Sequence, residues 1–263
     1  MHTVRLVDTH VHWDRLPEDK LDSMVDRARK AGVVGAVAVG TDAASCTDLL
    51  QMKRRYSDFL QIALGYHPEQ KVNWGEVNGV LQQIRARRNQ ICAVGEVGLP
   101  WYTLSPTERT APPNPEHKGV LERFLQIAVE LDVPVILHAV HDSAEAVFRL
   151  LQAHSVRQAV FHWLKAPEQV VDEIVGAGYM ISVTPEVCYR KRDRELVKRI
   201  PLSSLLLETD APWPHGGPFR NRPAEPAWVE RTAEAVSQVK GISLLQVAKQ
   251  TTANAERLFN RSF

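Results

Sequence analysis

The chain has 263 residues, 44% hydrophobic and 24% charged, with 32 Lys and Arg against 31 Asp and Glu for a formal charge of +1. This composition is ordinary for a folded globular chain and excludes disordered and fibrous classes. The even charge offers no broad basic face of the kind that grips duplex phosphates, so any nucleic acid would be held locally, in a groove. No apolar run approaches the roughly 20 residues of a membrane span, and the opening MHTVRLVDTHVH breaks its apolar run with charge too early for a secretory segment. Cys46, Cys92 and Cys188 are scattered and include no CxxC pair. They are expected to be reduced thiols of a cytoplasmic protein without membrane contact. The sequon Asn260-Arg261-Ser262 is then a chance match.

Along the chain, short β-branched apolar runs alternate eight times with longer amphipathic stretches, and no compositional break marks a linker. The predicted strands lie at about 4–12, 35–40, 60–67, 92–99, 133–140, 158–164, 178–184 and 205–212, each followed by a helical pattern. Near-continuous runs such as Val133-Pro134-Val135-Ile136-Leu137 suit parallel strands covered on both faces. Asp142 with Glu145 has the spacing of a capping box, and Pro167 fits the first turn of a helix. Two proline-rich loops, Trp101 to Pro115 and Trp213 to Pro226, interrupt the pattern after strands. The expectation is an α/β fold, a single (β/α)8 TIM-type barrel with 1–263 as one domain. A doubly wound open sheet is the alternative, and closure is inferred from the count of eight and from where the polar residues fall.

The first strand ends in Asp8-Thr9-His10-Val11-His12, and alternation of strand side chains projects His10 and His12 from the same side. Two such histidines alone fit a satisfied core as well as a metal. Later strands tip the balance: the fourth carries Gly95-Glu96-Val97-Gly98-Leu99, the fifth ends at His138, the sixth at His162, the eighth at Glu208-Thr209-Asp210. Ionisable groups at so many apolar strand ends would each carry a desolvation cost unless a cation collected them. The C-terminal strand ends of a β/α barrel are also where its active site lies. Six ligands exceed what one tetrahedral ion needs, so two metals are predicted, one on His10 and His12, the other on His138 and His162, with Glu96 bridging. Asp210 is the last ligand and the candidate general base, while Glu208 is read as a supporting carboxylate outside the ligand set. Four imidazoles suit zinc, manganese or iron.

The His10-Val11-His12 pair, Gly65-Tyr66-His67-Pro68, GEVGL at 95–99, His138, His162 and Glu208-Thr209-Asp210 together resemble the TatD family of metal-dependent deoxyribonucleases, in order and over nearly the whole chain. The resemblance implies a TIM-type barrel, two divalent ions on His10, His12, Glu96, His138, His162 and Asp210, and hydrolysis of DNA phosphodiesters, often from a free end. It brings magnesium into consideration beside manganese and zinc. Two departures fall on substrate recognition rather than on the ligands. Pro100 stands before Trp101 and Tyr102 where the family has Asp and Tyr, and His162-Trp163-Leu164-Lys165-Ala166 lacks the family's glycine after the histidine.

Candidate substrate contacts are fewer. His67 sits where the family's GxHP histidine reaches the site, against a structural capping role. Trp13, Trp101, Trp163 and Trp213 cluster near the predicted ligands, and their rings either stack nucleobases or pack the barrel rim. Arg190 and Arg192 follow the seventh strand near a helix start, a placement an anionic substrate would explain and a solvated face would also produce. Lys53-Arg54-Arg55 and the basic run at 85–88 are read as solvated helix faces. The expected partner is therefore DNA ends or short single-stranded DNA. The alternative is a small amide, ester or lactone, as in related amidohydrolase barrels. Many of those bridge their metals with a carboxylated lysine where Glu96 stands here, which favours the first reading. A non-catalytic barrel is disfavoured by the intact ligand set. No nucleotide-binding glycine loop and no GxSxG elbow offers a rival mechanism.

Overall fold

The computed structural model describes residues 4–263. Its strands are β1 (Leu6–Val11), β2 (Val33–Val39), β3 (Leu60–Leu64), β4 (Ala93–Gly98), β5 (Val135–Val140), β6 (Ala159–Lys165), β7 (Met180–Val183) and β8 (Leu205–Leu207). They form one sheet in chain order. The helices alternating with them are α1 (Leu21–Lys30), α2 (Ala43–Arg55), α3 (Trp74–Ala86), α4 (Pro106–Arg109), α5 (Pro115–Leu131), α6 (Ser143–Ala153), α7 (Glu168–Gly176) and α8 (Lys191–Arg199), followed by α9 (Val229–Lys240) and α10 (Leu244–Phe259). Closure comes from the return of the last strand to the first: Val11 bridges Ala211 in parallel, the His12 amide donates to Ala211 O at 2.8 Å and the Asp210 amide to His10 O at 3.0 Å. An open doubly wound sheet has no such return, so the fold is the (β/α)8 barrel. Among the described residues, no helix is long and apolar enough to cross a membrane.

The chain divides into two compact units. The first comprises residues up to Ala38, Lys53–Gln61 and Ile181–Phe263. Its strand β1 is buried along its whole length. Helix α10 opens on a capping box of Ser243 and Gln246 and ends at Asn260 in the left-handed region. Its Asn254 Nδ2 donates at 2.8 Å to both Leu202 O and Leu205 O, satisfying carbonyls at the entry to β8. Trp13 is fully buried and packs against Tyr56 and Phe59, ring centroids 5.5 and 5.9 Å away. It therefore belongs to the core and is no candidate for stacking on a substrate.

The second unit comprises Val39–Met52 and Ile62–Met180. Its register pairs Gly98 with His138 and His138 with His162, which sets the polar ends of β4, β5 and β6 side by side. Two motif glycines permit this. A Cβ on Gly65 would lie 2.5 Å from Glu96 O, and one on Gly98 would overlap His138 O. Only a residue without a side chain lets these backbones approach so closely.

Several local expectations are corrected. The eighth strand stops at Leu207 rather than about 212, because Asp210 takes a left-handed φ of 54° that no strand accommodates. Asp142 forms no capping bond and lies in the helical region itself. The start of α6 is held instead by Ser143 Oγ, which accepts from Val140 N at 3.0 Å and donates to Val140 O at 2.8 Å. Pro167 caps α7 from outside rather than entering its first turn. The Trp101 to Pro115 loop contains α4, whose capping box joins Ser105 and Glu108.

Candidate metal centre

In the first unit the end of β1 meets the segment after β8. Asp8 is buried, and its carboxylate accepts from Thr209 Oγ1 at 2.6 Å, Thr209 N at 3.0 Å and His10 N at 3.3 Å. Burial pushes its pKa well above the ordinary carboxylate value despite these bonds. Asp8 thus ties the two segments that carry His10, His12 and Asp210. His12 Nε2 lies 3.2 Å and His10 Nε2 3.6 Å from Asp210 Oδ1, and all three residues are buried. Glu208 is buried and faces Ser182, whose Oγ donates to its Oε2 at 2.6 Å, and its carboxylate is also among the groups that could hold a metal ion.

In the second unit three imidazoles converge on one carboxylate oxygen. His138 Nδ1 lies 3.0 Å, His162 Nε2 3.0 Å and His67 Nε2 3.3 Å from Glu96 Oε1, with the Glu96 side chain 1% exposed. The Glu69 amide donates to His67 Nδ1 at 3.2 Å. That leaves the ring proton of a neutral His67 on Nε2, so His67 donates to Glu96 rather than offering it a lone pair. Burial pushes the His138 pKa down, but its bonds to Glu69 and Glu96 outweigh this and raise it.

Glu69 escaped the reading of the sequence. Its Oε1 accepts from the Trp101 amide at 2.7 Å, the Tyr102 amide at 2.8 Å and His138 Nε2 at 3.1 Å. Its Oε2 accepts from the Thr103 amide at 2.8 Å and Thr103 Oγ1 at 2.7 Å. Burial alone would raise its pKa, yet these donors hold the carboxyl well below the usual carboxylate range. The one local signal was its place directly after Gly65-Tyr66-His67-Pro68.

The remaining candidates fall in different settings. Trp101 is half-buried, its ring 4.1 Å from that of His141 and under the Arg109 guanidinium at 3.9 Å. Trp163 is half-buried beneath Lys165, whose Nζ stands 4.1 Å from its ring and donates to Tyr102 Oη at 2.7 Å. Trp213 is 57% exposed. Arg190 and Arg192 both turn to Glu186, a buried carboxylate: Arg190 through Nε, and Arg192 through Nη2 at 2.7 Å while also bonding Asp193. The helix-borne cations are paired as well, Arg55 with Asp22 and Arg85 with Glu130.

Both clusters suit a divalent cation. Carboxylate oxygens and imidazole nitrogens are the donors such ions take, and bonds of about 2.0–2.1 Å put neighbouring ligand atoms roughly 3 Å apart. The 3.0 Å spacings of His138 Nδ1 and His162 Nε2 from Glu96 Oε1 match that edge length. The model of the family described as TatD related DNase matches residues 7–260. The human protein named Deoxyribonuclease TATDN3 is 34% identical, over 97% of this chain and 95% of its own. The protein of Erwinia tasmaniensis named 3'-5' ssDNA/RNA exonuclease TatD is 31% identical over 98% of each. The crystal structure of YjjV, a TatD homolog from Escherichia coli, superposes with a TM-score of 0.88 at 28% identity, covering 98% of this chain and 99% of that one. With a family model running through nearly its whole length and relatives above 30% identity, the chain belongs to the TatD-related DNase family.

Proposed function

We propose that the chain is a deoxyribonuclease that hydrolyses DNA phosphodiesters at ends or in short single strands, using water activated between two divalent ions, magnesium, manganese or zinc. In this reading His10 and His12 would hold one ion, His138 and His162 would hold the other, and Glu96 and Asp210 would complete the set. When bound, the ions supply Lewis-acid polarisation of the phosphoryl oxygen and lower the pKa of water. Asp210 would orient the attacking water and accept its proton as the water oxygen bonds to phosphorus; the P–O bond to the leaving oxygen breaks, that oxygen takes up a proton, and a phosphate monoester and an alcohol result. His67 fixes Glu96 by donating to it. Trp101, packed against His141 and Arg109, and Trp163, beneath Lys165, are the rings proposed to stack on bases, and Arg190 and Arg192 would offer phosphates the N–H donors that Glu186 and Asp193 do not engage.

The observation that carries the reading is the convergence of His138 Nδ1 and His162 Nε2, each 3.0 Å from one buried carboxylate oxygen of Glu96 that His67 steadies from 3.3 Å. Relatives named deoxyribonuclease and 3'-5' ssDNA/RNA exonuclease support the substrate class. A family model continuous from 7 to 260 supports treating 1–263 as one domain, and three cysteines outside any disulfide support a cytoplasmic setting. The test is release of nucleotides from an end-labelled single-stranded oligonucleotide by chelator-stripped protein, with each metal restored separately. Metal-dependent release is expected, falling at least about 10²-fold in Asp210→Asn. No release with any metal, together with turnover of esters, lactones or amides, would replace the reading with a small-molecule hydrolase.

A further inference from the structure

Glu69 joins two things that no local motif connects: the imidazole of His138 and the backbone of 101–103. One oxygen of its carboxylate takes His138 Nε2 at 3.1 Å and the Trp101 and Tyr102 amides at 2.7 and 2.8 Å. The other takes the Thr103 amide and hydroxyl at 2.8 and 2.7 Å. The opposite nitrogen of the same ring, Nδ1, faces Glu96 at 3.0 Å. An imidazole that offers a lone pair to a metal through Nδ1 must carry its proton on Nε2, and that proton needs an acceptor in a buried place. Glu69, whose side chain is 12% exposed, is that acceptor. A carboxylate there fixes the tautomer, sets the ring plane and makes Nδ1 a better donor to a cation.

We propose that Glu69 is a positioning residue for the metal ligand His138 and at the same time the latch of the Trp101–Thr103 segment, so that metal affinity and order in this segment are coupled. The inference rests on the metal-binding reading above. The coupling runs both ways. A cation on His138 Nδ1 polarises the ring, strengthens the Nε2–H bond to Glu69 and steadies the carboxylate that three amides hold. Tyr102 and Trp101 meet at 5.3 Å between ring centroids and Tyr102 lies 6.0 Å from the His138 ring, so ordering the segment also orders the aromatic faces beside this ligand.

The test uses the full chain stripped with chelator, as wild type, Glu69→Gln, Glu69→Asp and Thr103→Val. Zinc affinity is measured by competition with a chromophoric chelator, and amide exchange at 101–103 is followed with and without zinc. Wild type is expected to gain protection at 101–103 on binding zinc. Glu69→Gln is expected to bind zinc about 10–100-fold more weakly and to lose that gain, with partial rescue in Glu69→Asp. Thr103→Val, which removes only the hydroxyl, should loosen the segment and, through the same coupling, weaken zinc binding by less than Glu69→Gln does. Unchanged zinc affinity in both Glu69 variants, with faster exchange at 101–103, would reduce Glu69 to a loop anchor and overturn the proposal. Failure of wild type to bind zinc, manganese or magnesium would instead remove the metal-binding reading on which it stands.

Discussion

At the scale of single residues, the site depends on atoms that are missing as much as on atoms present. Gly98 lies so close to His138 O that any Cβ must displace the end of β5. Gly98→Ala is therefore expected to cost about 1–3 kcal/mol in urea unfolding and to weaken metal binding; a variant as stable and as tight as wild type would contradict the close packing. Glu69 makes a pH prediction. Its carboxyl is held below its ordinary value in the folded state, so the stabilisation it contributes is complete above the unfolded carboxylate pKa of about 4.3 and is lost as pH falls from there toward the folded value. Glu69→Gln should flatten the acid limb of a stability-against-pH curve, and an unaltered limb would contradict the sign. Burial pushes the Cys188 thiol up to about 11, so alkylation at neutral pH should be slow until the chain unfolds.

At the scale of elements, the strands were readable because their apolar runs are local. The candidate ligands were nominated because apolar runs carry an ionisable residue at or near their ends: His10, His12, Glu96, His138, His162 and Asp210 all lie buried at or just beyond their strands. What could not be read depended on which side chains turn toward one another, over long distances for Glu69 and over short ones elsewhere. Glu69 meets its partners 32 to 69 positions away. Asp142 looked like a cap by spacing, but Ser143 holds that turn. Arg190 and Arg192 were weighed between an anionic substrate and a solvated face, and both turn to Glu186, only four and six positions away. Arg192→Ala removes a donor from this buried carboxylate and is expected to cost about 1–2 kcal/mol, reduced by the arginine's own exposure. A raised KM for oligonucleotide with unchanged stability would assign Arg192 to the substrate instead.

At the scale of the whole molecule, the closing contacts of Val11 with Ala211 and His12 with Ala211 turn eight strands into a barrel and carry His10 and His12, the first candidate ligands, to Asp210, the last. Ligands so widely separated in sequence are far apart in the unfolded chain, so a cation binds the folded state preferentially and stabilises it by mass action. At a hundredfold excess over its dissociation constant the gain is about 2.7 kcal/mol, and chelation should lower Tm by roughly 5–10 °C. The central claim, that these ligands hold metal for hydrolysis, is tested most directly by titrating stripped protein with manganese while reading bound equivalents and nucleotide release from single-stranded DNA together. Two equivalents bound per chain are predicted, with release appearing only as the second fills, loss of release in Asp210→Asn and loss of metal in Glu96→Gln. Release by protein holding no metal, or full binding and activity in Glu96→Gln, would contradict the account.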